Sequence, residues 1–586
     1  MRRALAAAAA LILSAGAARA ECKVEPVAQL PVTMLGDRPS VEVKINGASA
    51  RFLVDSGAFY GVISPGAAAE HHLHVRPGPF GMVMQGVGGS TTVSVATVDN
   101  FDLAGIPLHH FDFVVGGSET GGELAGVIGR NILSIADVEF DLAGGVMRMF
   151  QAKGCGGLNM AYWIKPGQGG GELDIRPTPD DRRNPFNPPI EGAATVNGKH
   201  INVVLDTGAA TSVLTLNAAR RIGLDPNAPG VVRGGPIGGV GRRLVRSWIA
   251  PVDEFEVGGE KIEHTRLRIG DYELGDADML LGADFFLSHR AYVANSQRKV
   301  WFTYNGGPVF NLVASPDEQP VQAAVEPDPT TAADFARRAA AEAARRDFAS
   351  AIADYDKAAA LDPKNADYPY RRAQARIFSG QIALGRADLD TTLALAPDRA
   401  DALMGRASLR QGAHDEAGAL ADLDAADKVL APESHERLAL ANAYLGVDAP
   451  DRALTQFDQW IKVHPDDHNL GAAFSARCWA RVLLNVQPDK ARADCRRALG
   501  LSPGEGRALA GLAFLSLRAG DLDAAETGLV RALTAYPRNA WALWGRGLVA
   551  ARRGQNDKGR ADFAAASGIM PSLPKTAAKF GLAPSA

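Results

Sequence analysis

The chain has 586 residues, 46% of them hydrophobic and 22% charged, a length that implies three or more domains rather than a single core. Its formal net charge of -4 leaves no global basic footprint, which argues against nucleic acid as the main partner. Partners must therefore be read from individual sites.

At the N-terminus Arg2 and Arg3 precede an apolar stretch from Ala4 to about Ala17, and Ala18-Arg19-Ala20 places small residues where a signal peptidase needs them. The expectation is a signal peptide over 1–20, a mature chain starting at Glu21, and export. No other stretch approaches the roughly 20 apolar residues of a spanning helix, so no membrane anchor is expected. Cys22 does not follow the small residue of a lipoprotein signal, so no lipidation is expected either. The four cysteines read as an even, exported set. Cys478 and Cys495 lie within one helical repeat and are candidates to bridge its two helices, closing a loop worth about 3 kcal/mol in the chain-entropy model. Cys22 and Cys155 bracket the first Asp-Ser-Gly unit and form the remaining pair; free buried thiols are the alternative, because sequence fixes no distance.

From Val41 the chain reads as a hairpin, with Val43 and Ile45 alternating into Asn46-Gly47, then Ala50 to Val54 leading into Asp55. Asn-Gly is a strong two-residue hairpin signal because both positions need positive φ. Phe52-Leu53-Val54-Asp55-Ser56-Gly57-Ala58 is answered 151 residues later by Val203-Val204-Leu205-Asp206-Thr207-Gly208-Ala209. The second copy has the same turn, Asn197-Gly198, nine residues before its aspartate, and a shared offset indicates duplication. Gly86-Val87-Gly88-Gly89 and Gly238-Gly239-Val240-Gly241 follow at 31 to 35 residues and suit mobile hairpin tips. At 74 and 76 residues, Val127-Ile128-Gly129-Arg130-Asn131 answers Leu280-Leu281-Gly282-Ala283-Asp284. Each copy closes with a strand pair ending at Phe150 or Phe302.

These residues resemble the retropepsin group of aspartic proteases: Asp-Ser/Thr-Gly-Ala, a glycine-rich flap, and two apolar residues plus glycine, in that order. The resemblance covers roughly residues 35 to 303. It implies an all-β bilobal fold, with lobe 1 over 21–160, an inter-lobe linker over 161–189 and lobe 2 over 190–304. It also implies a site built from one chain as its own dimer, hence a monomer with an internal pseudo-dimer. Asp55 and Asp206 are then the catalytic candidates. Amide hydrolysis needs two carboxylates sharing one proton, one acting as base on a water and the other polarising the carbonyl. No cofactor or metal is implied, since water is the nucleophile. Ser56 and Thr207 would hydrogen-bond across the interface, Gly57 and Gly208 would let the backbones approach, and Ala58 and Ala209 complete the support. Gly129 and Gly282 would sit behind the aspartate loops.

Two departures stand out. Retroviral relatives carry an acidic residue after the alanine, where Phe59 and Ala210 stand here, which puts the usual partner of Arg130 in question and makes the subsites more apolar. Pepsin-like relatives usually place a hydroxyl residue where Ala58 and Ala209 sit, lowering a carboxyl pKa. Its absence is expected to move activity toward weakly acidic or neutral pH. His71, His72, His74, His109 and His110 lack the acidic or cysteine spacing of a metal site and read as solvated loop histidines.

Residues 305–331 carry five prolines among acidic and small residues and read as an interdomain linker. Beyond them Pro363, Pro397, Pro432, Pro465, Pro503, Pro537 and Pro571 are spaced 34, 35, 33, 38, 34 and 34 apart, which resembles a tetratricopeptide array of about seven repeats over 332–586. Pro574 to Leu582 is expected to form a terminal capping helix. Arg371-Arg372 and Arg496-Arg497 read as solvated helix surface. Such an array presents a concave face for a protein partner; a purely structural appendage is the alternative. The combined expectation is an exported aspartic endopeptidase acting on proteins or peptides, in the periplasm of a Gram-negative cell. An inactive peptide-binding scaffold or an envelope assembly protein is the competing reading.

Overall fold

The computed structural model describes residues 22–79, 82–116, 124–165, 169–176, 189–240, 244–310, 312, 329–465, 467 and 469–584. The expected signal peptide, Gly241, part of the expected inter-lobe linker and most of 305–331 lie outside the described residues. Among those described, no helix is long and apolar enough to cross a membrane.

Each lobe begins with the predicted hairpin. In lobe 1 the strands Arg38–Ile45 and Ala48–Val54 join through Asn46 and Gly47 at φ 50° and 90°, and in lobe 2 Glu191–Val196 and Lys199–Leu205 join through Asn197 and Gly198 at 47° and 72°. The asparagines also pin the hairpins to a neighbouring strand. Asn46 Oδ1 accepts from Asn100 N at 3.0 Å, and Asn197 Oδ1 accepts from Glu254 N at 3.0 Å. Beside each hairpin runs a short parallel strand, Gly126–Ile128 in lobe 1 and Met279–Leu281 in lobe 2, in register so that Ile128 faces Val54 and Leu281 faces Leu205. Both aspartates therefore emerge from the end of a buried parallel pair.

A third sheet joins the lobes. Its six strands run in the order Lys23–Pro31, Val146–Lys153, Asp137–Asp141, His289–Ala294, Lys299–Tyr304 and Gly171–Asp174, with the central antiparallel pairing crossing from lobe 1 to lobe 2. The stretch expected as a linker over 161–189 thus contributes an edge strand, Gly171–Asp174, to this seam. On the inner face Phe140 and Phe286 meet edge to face at 5.4 Å, both buried, each worth about 1.5–3 kcal/mol relative to exposure. Also buried is Glu139, which pairs with Arg148 of its own lobe and Arg290 of the other, and accepts a hydrogen bond from the Tyr162 hydroxyl at 2.7 Å. The Cys22–Cys155 disulfide ties the first strand to the connector that crosses this sheet, as expected from the even cysteine count.

Fourteen helices between Ala332 and Ile569 form seven antiparallel pairs among the described residues, followed by Leu573–Lys579, in agreement with the proline period. Close crossings are made by small residues, such as Ala339 against Ala351, both buried in one cluster. The second disulfide, Cys478–Cys495, bridges the two helices of one repeat. Arg372 is not a solvated charge. It donates to Asp388 sixteen residues on, at 2.6 and 3.1 Å, and the same Arg–Asp spacing recurs at Arg338/Asp354, Arg406/Asp422 and Arg546/Asp562. These aspartates are buried, so each pair fastens the two helices of its repeat.

The array is docked on the lobes. Ala340, Ala341 and Ala344 of the first helix, Ala332–Ala344, join the lobes' hydrophobic core, and Arg345 donates to the Leu287 carbonyl. Phe310, within the expected Pro-rich linker, is buried edge to face against Phe255. The linker reading therefore fails at its first residues, where an aromatic finds a place in the lobe 2 core.

Candidate active site

The N–H of Asp55 donates to Ile128 O at 3.0 Å and that of Asp206 to Leu281 O at 2.8 Å, so the parallel strands hold each aspartate at the same point. The two loops then lock through a reciprocal set of hydrogen bonds. Ser56 N donates to Thr207 Oγ1 at 3.0 Å and Thr207 N to Ser56 Oγ at 3.0 Å, while the hydroxyls donate to Leu205 O at 2.8 Å and Val54 O at 2.7 Å. Both side chains are fully buried. Four backbone groups that would otherwise be orphaned are satisfied across the lobe boundary.

Each carboxylate sits in a small nest of its own loop. Asp55 Oδ1 accepts from Gly57 N and Ala58 N, both at 2.8 Å, and Asp206 Oδ1 accepts from Gly208 N at 2.9 Å and Ala209 N at 3.2 Å. The glycines are required by the opposite carboxyl. A Cβ on Gly57 would lie 2.5 Å from Asp206 Cγ, and one on Gly208 would collide with the Asp55 carboxyl. The two carboxyls hydrogen-bond to each other. Burial raises Asp55 well above the usual carboxylate range, reinforced by the charge of Asp206; burial also raises Asp206, opposed by the hydrogen bond from Asp55 and by the loop N–H groups. The pair therefore retains one shared proton to higher pH than an isolated aspartate would.

Behind the loops, Arg130 N donates to Ala58 O and Ala283 N to Ala209 O, each at 2.7 Å. A Cβ on Gly282 would sit 2.7 Å from Ala209 O, and one on Gly129 would meet the Tyr60 carbonyl, so both positions admit glycine only. Two residues further on, a side chain clamps the loop in each lobe. Asn131 Oδ1 accepts from Gly61 N at 2.7 Å, and Asp284 accepts from Ser212 N at 2.9 Å and Ser212 Oγ at 2.6 Å. Burial pushes Asp284 up to about 6. Sequence reasoning passed over this pair, although its position after Gly129 and Gly282 was a usable signal. Arg130 donates to Asn295 Oδ1 of lobe 2 at 2.9 Å. Its burial lowers the guanidinium to about 10.

The glycine clusters meet. Val83–Gly86 and Gly89–Thr92 form a hairpin whose Gly88 N donates to Val240 O at 2.8 Å. The second cluster also lies at the tip of an antiparallel pairing, but a less regular one: Val232 and Arg233 pair with Ile249 and Trp248, and Ile237 bridges Val245 before Gly238, Gly239 and Val240. Pro236 supplies no N–H to a ladder there. Val87 at the first tip packs with Val213, Val245 and Tyr272, and burial, reinforced by the charge of Asp206, pushes the Tyr272 phenol up. A cavity of about 450 Å³ opens between this tip and Leu216, Asn217 and Asp271 of lobe 2. The histidines stand apart from this arrangement; His109 contacts Asn100 and His110 pairs with Asp99 on an exposed strand.

A family model described as an aspartyl protease matches residues 41–132 and 193–285, one per lobe, and one described as a tetratricopeptide repeat matches 483–551. Similar solved structures include a tetratricopeptide repeat protein from Parabacteroides merdae ATCC 43184, 15% identical with a TM-score of 0.33, covering 43% of this chain and 98% of that one. The C-terminal part of a repeat-containing protein from Cytophaga hutchinsonii is 15% identical with a TM-score of 0.29, covering 37% and 87%. The APC/C Cut9–Hcn1 hetero-tetramer is 14% identical with a TM-score of 0.30, and the match covers 37% of this chain and only 42% of that one. No curated protein matches the sequence. The chain consists of two aspartyl protease-like domains in tandem followed by a tetratricopeptide solenoid.

Proposed function

We propose that the two lobes form an aspartic endopeptidase whose dyad is Asp55 and Asp206. The observation that carries this reading is the pair of mutually hydrogen-bonded carboxyls, each seated on its own loop N–H groups and each requiring glycine in the opposite loop. In the reaction the ionised carboxyl takes a proton from water as the water oxygen attacks the scissile carbonyl, and the protonated one donates to the carbonyl oxygen. Collapse of the resulting gem-diol breaks the C–N bond, with the departing nitrogen taking a proton from the dyad. The raised carboxyls and the alanines at positions 58 and 209 favour a working range that is weakly acidic to neutral. A purified enzyme active only below about pH 4, in the unperturbed carboxyl range, contradicts that.

Export to the periplasm rests on the N-terminal segment, and recruitment of protein substrates rests on the repeat array. Cleavage mapping with the wild type, Asp55→Asn and Asp206→Asn tests the enzyme reading. Fragments that vanish in both variants support it, and identical fragments from all three hand the site to the peptide-binding scaffold. For recruitment, truncation after Thr331 would strip Ala340, Ala341 and Ala344 from the lobe core. Truncation after Pro397 keeps the docked repeat, and loss of one specific cleavage with general peptidase activity retained is the supporting result.

A further inference from the structure

The last helix does more than close the end of the stack. In this array the first helices of successive repeats touch one another, as Leu470–Leu484, Gly506–Arg518 and Ala540–Arg552 do, and so line the inner side of the curve. Helix Leu573–Lys579 and the residues after it bind first helices near the seventh repeat and, at the other end, the turn edge of repeats three and four, where Glu416 opens a second helix and Asp448 lies between paired helices. Near the seventh repeat, Trp544 Nε1 donates to Leu582 O at 2.8 Å and Arg518 Nη2 to Phe580 O at 2.9 Å. At the other end the contacts reach back to repeats three and four: Lys575 Nζ to Glu416 at 3.0 Å, Thr576 Oγ1 to Asp448 Oδ2 at 2.9 Å, and Lys579 Nζ to Asp448 O at 2.7 Å. Leu573, Ala577 and Leu582 are buried in the array's core. A helix that merely extended the stack would have no reason to touch residues more than 120 positions earlier.

We infer that residues 573–582 are a resident, exchangeable ligand of the inner groove, and that the groove takes short basic amphipathic helices of other proteins in their place. The resident segment shows the chemistry that fits. Apolar residues four apart face the wall, lysines meet Glu416 and the Asp448 loop, and terminal carbonyls are taken by Arg518 and Trp544. Seven residues are too few to hold a helix alone in water, so this one is ordered by docking. Its far end is held by an ion pair whose side chains are 76% and 59% exposed, which salt weakens. Because the tether keeps the segment at high effective concentration, an incoming helix meets a groove that is mostly filled, and its apparent affinity falls by the vacant fraction. The inference does not depend on hydrolysis by the lobes.

The test uses the full chain and a fluorescein-labelled peptide of residues 571–584, read by anisotropy. Leu573→Asp/Lys579→Glu in the chain frees the groove and is expected to bind the peptide at least tenfold more tightly than the wild type, with Glu416→Lys added to that variant cutting the gain at least fivefold. Equal binding by wild type and a folded double variant overturns the proposal and leaves the segment a fixed strut. Hydrogen exchange on the unmodified chain decides independently of variant folding. Amides of 573–582 exchanging at least 100-fold faster than those of Ala540–Arg552 support exchange, and equal protection of both refutes it.

Discussion

Replacing Thr207 with valine keeps the shape of the side chain and removes one hydroxyl. That hydroxyl accepts from Ser56 N and donates to Val54 O, and all of it lies in a fully buried seam. The substitution opens no cavity, so its cost is the desolvation of one orphaned donor and one orphaned acceptor. At about 1–3 kcal/mol each, the loss is about 2–6 kcal/mol. Hydrogen exchange of the amides of residues 54–58 and 205–209 reports the opening free energy of the seam without requiring the whole chain to unfold in one step. Ser56→Ala orphans the reciprocal pair, Thr207 N and Leu205 O, and should cost a similar amount. The double variant should depart from the sum by about 0.5–3 kcal/mol, because the two residues belong to one reciprocal network. A loss below about 0.5 kcal/mol for Thr207→Val would refute the reasoning, since it would mean the orphaned groups find other partners.

Gly208→Ala drives a methyl into the Asp55 carboxyl and should lower hydrolysis at wild-type cleavage sites by about 100-fold or more, measured as kcat/KM. Asp284, pushed up to about 6 from 3.8, contributes stability that is fully present below its unfolded pKa and lost as pH rises through 6. Asp284→Asn should therefore flatten the fall in stability between pH 4 and 7 by about 3 kcal/mol, read from urea midpoints at the two pH values. Asp388→Ala leaves Arg372 and Arg376 without a buried partner and should destabilise the second repeat by about 3–5 kcal/mol, with Arg372→Met partly restoring it in the double variant, followed by thermal circular dichroism.

The hairpin turns, the matched aspartate loops and the repeat count were legible because each depends on local chemistry or on period: positive φ at Asn46-Gly47, glycine beneath a carboxyl, proline every 34 or so residues. The strand pairs that close each copy near Phe150 and Phe302 were legible, but their joining into one seam sheet was not. Its central strand Asp137–Asp141 is buried on both faces, acidic residues included, so it shows neither alternation nor an apolar run. Its partner lies some 150 residues away, and only the folded seam supplies the arginines that make Glu139 tolerable there. Gly171–Asp174 and Phe310 were hidden for a related reason, each being a short packed piece inside a polar, proline-rich stretch. The Arg–Asp pairs were visible as a spacing of sixteen, yet adjacent arginines such as Arg371 and Arg372 read as surface when taken two at a time. Asn131 and Asp284 were hidden because the backbone groups they clamp, Gly61 N and Ser212 N, lie 70 and 72 residues away in sequence.

The lobes share a plan but have drifted apart in detail: Arg130 opposite Ala283, Asn131 opposite Asp284, a regular hairpin tip opposite an irregular one. In a site assembled from two identical polypeptides every substitution is made twice, and a change that suits one end of the cleft is imposed on the other. Joined in a single reading frame, the halves are released from that constraint. Selection can alter one wall while the other stays fixed, so the two ends of a bound chain can be held to different standards.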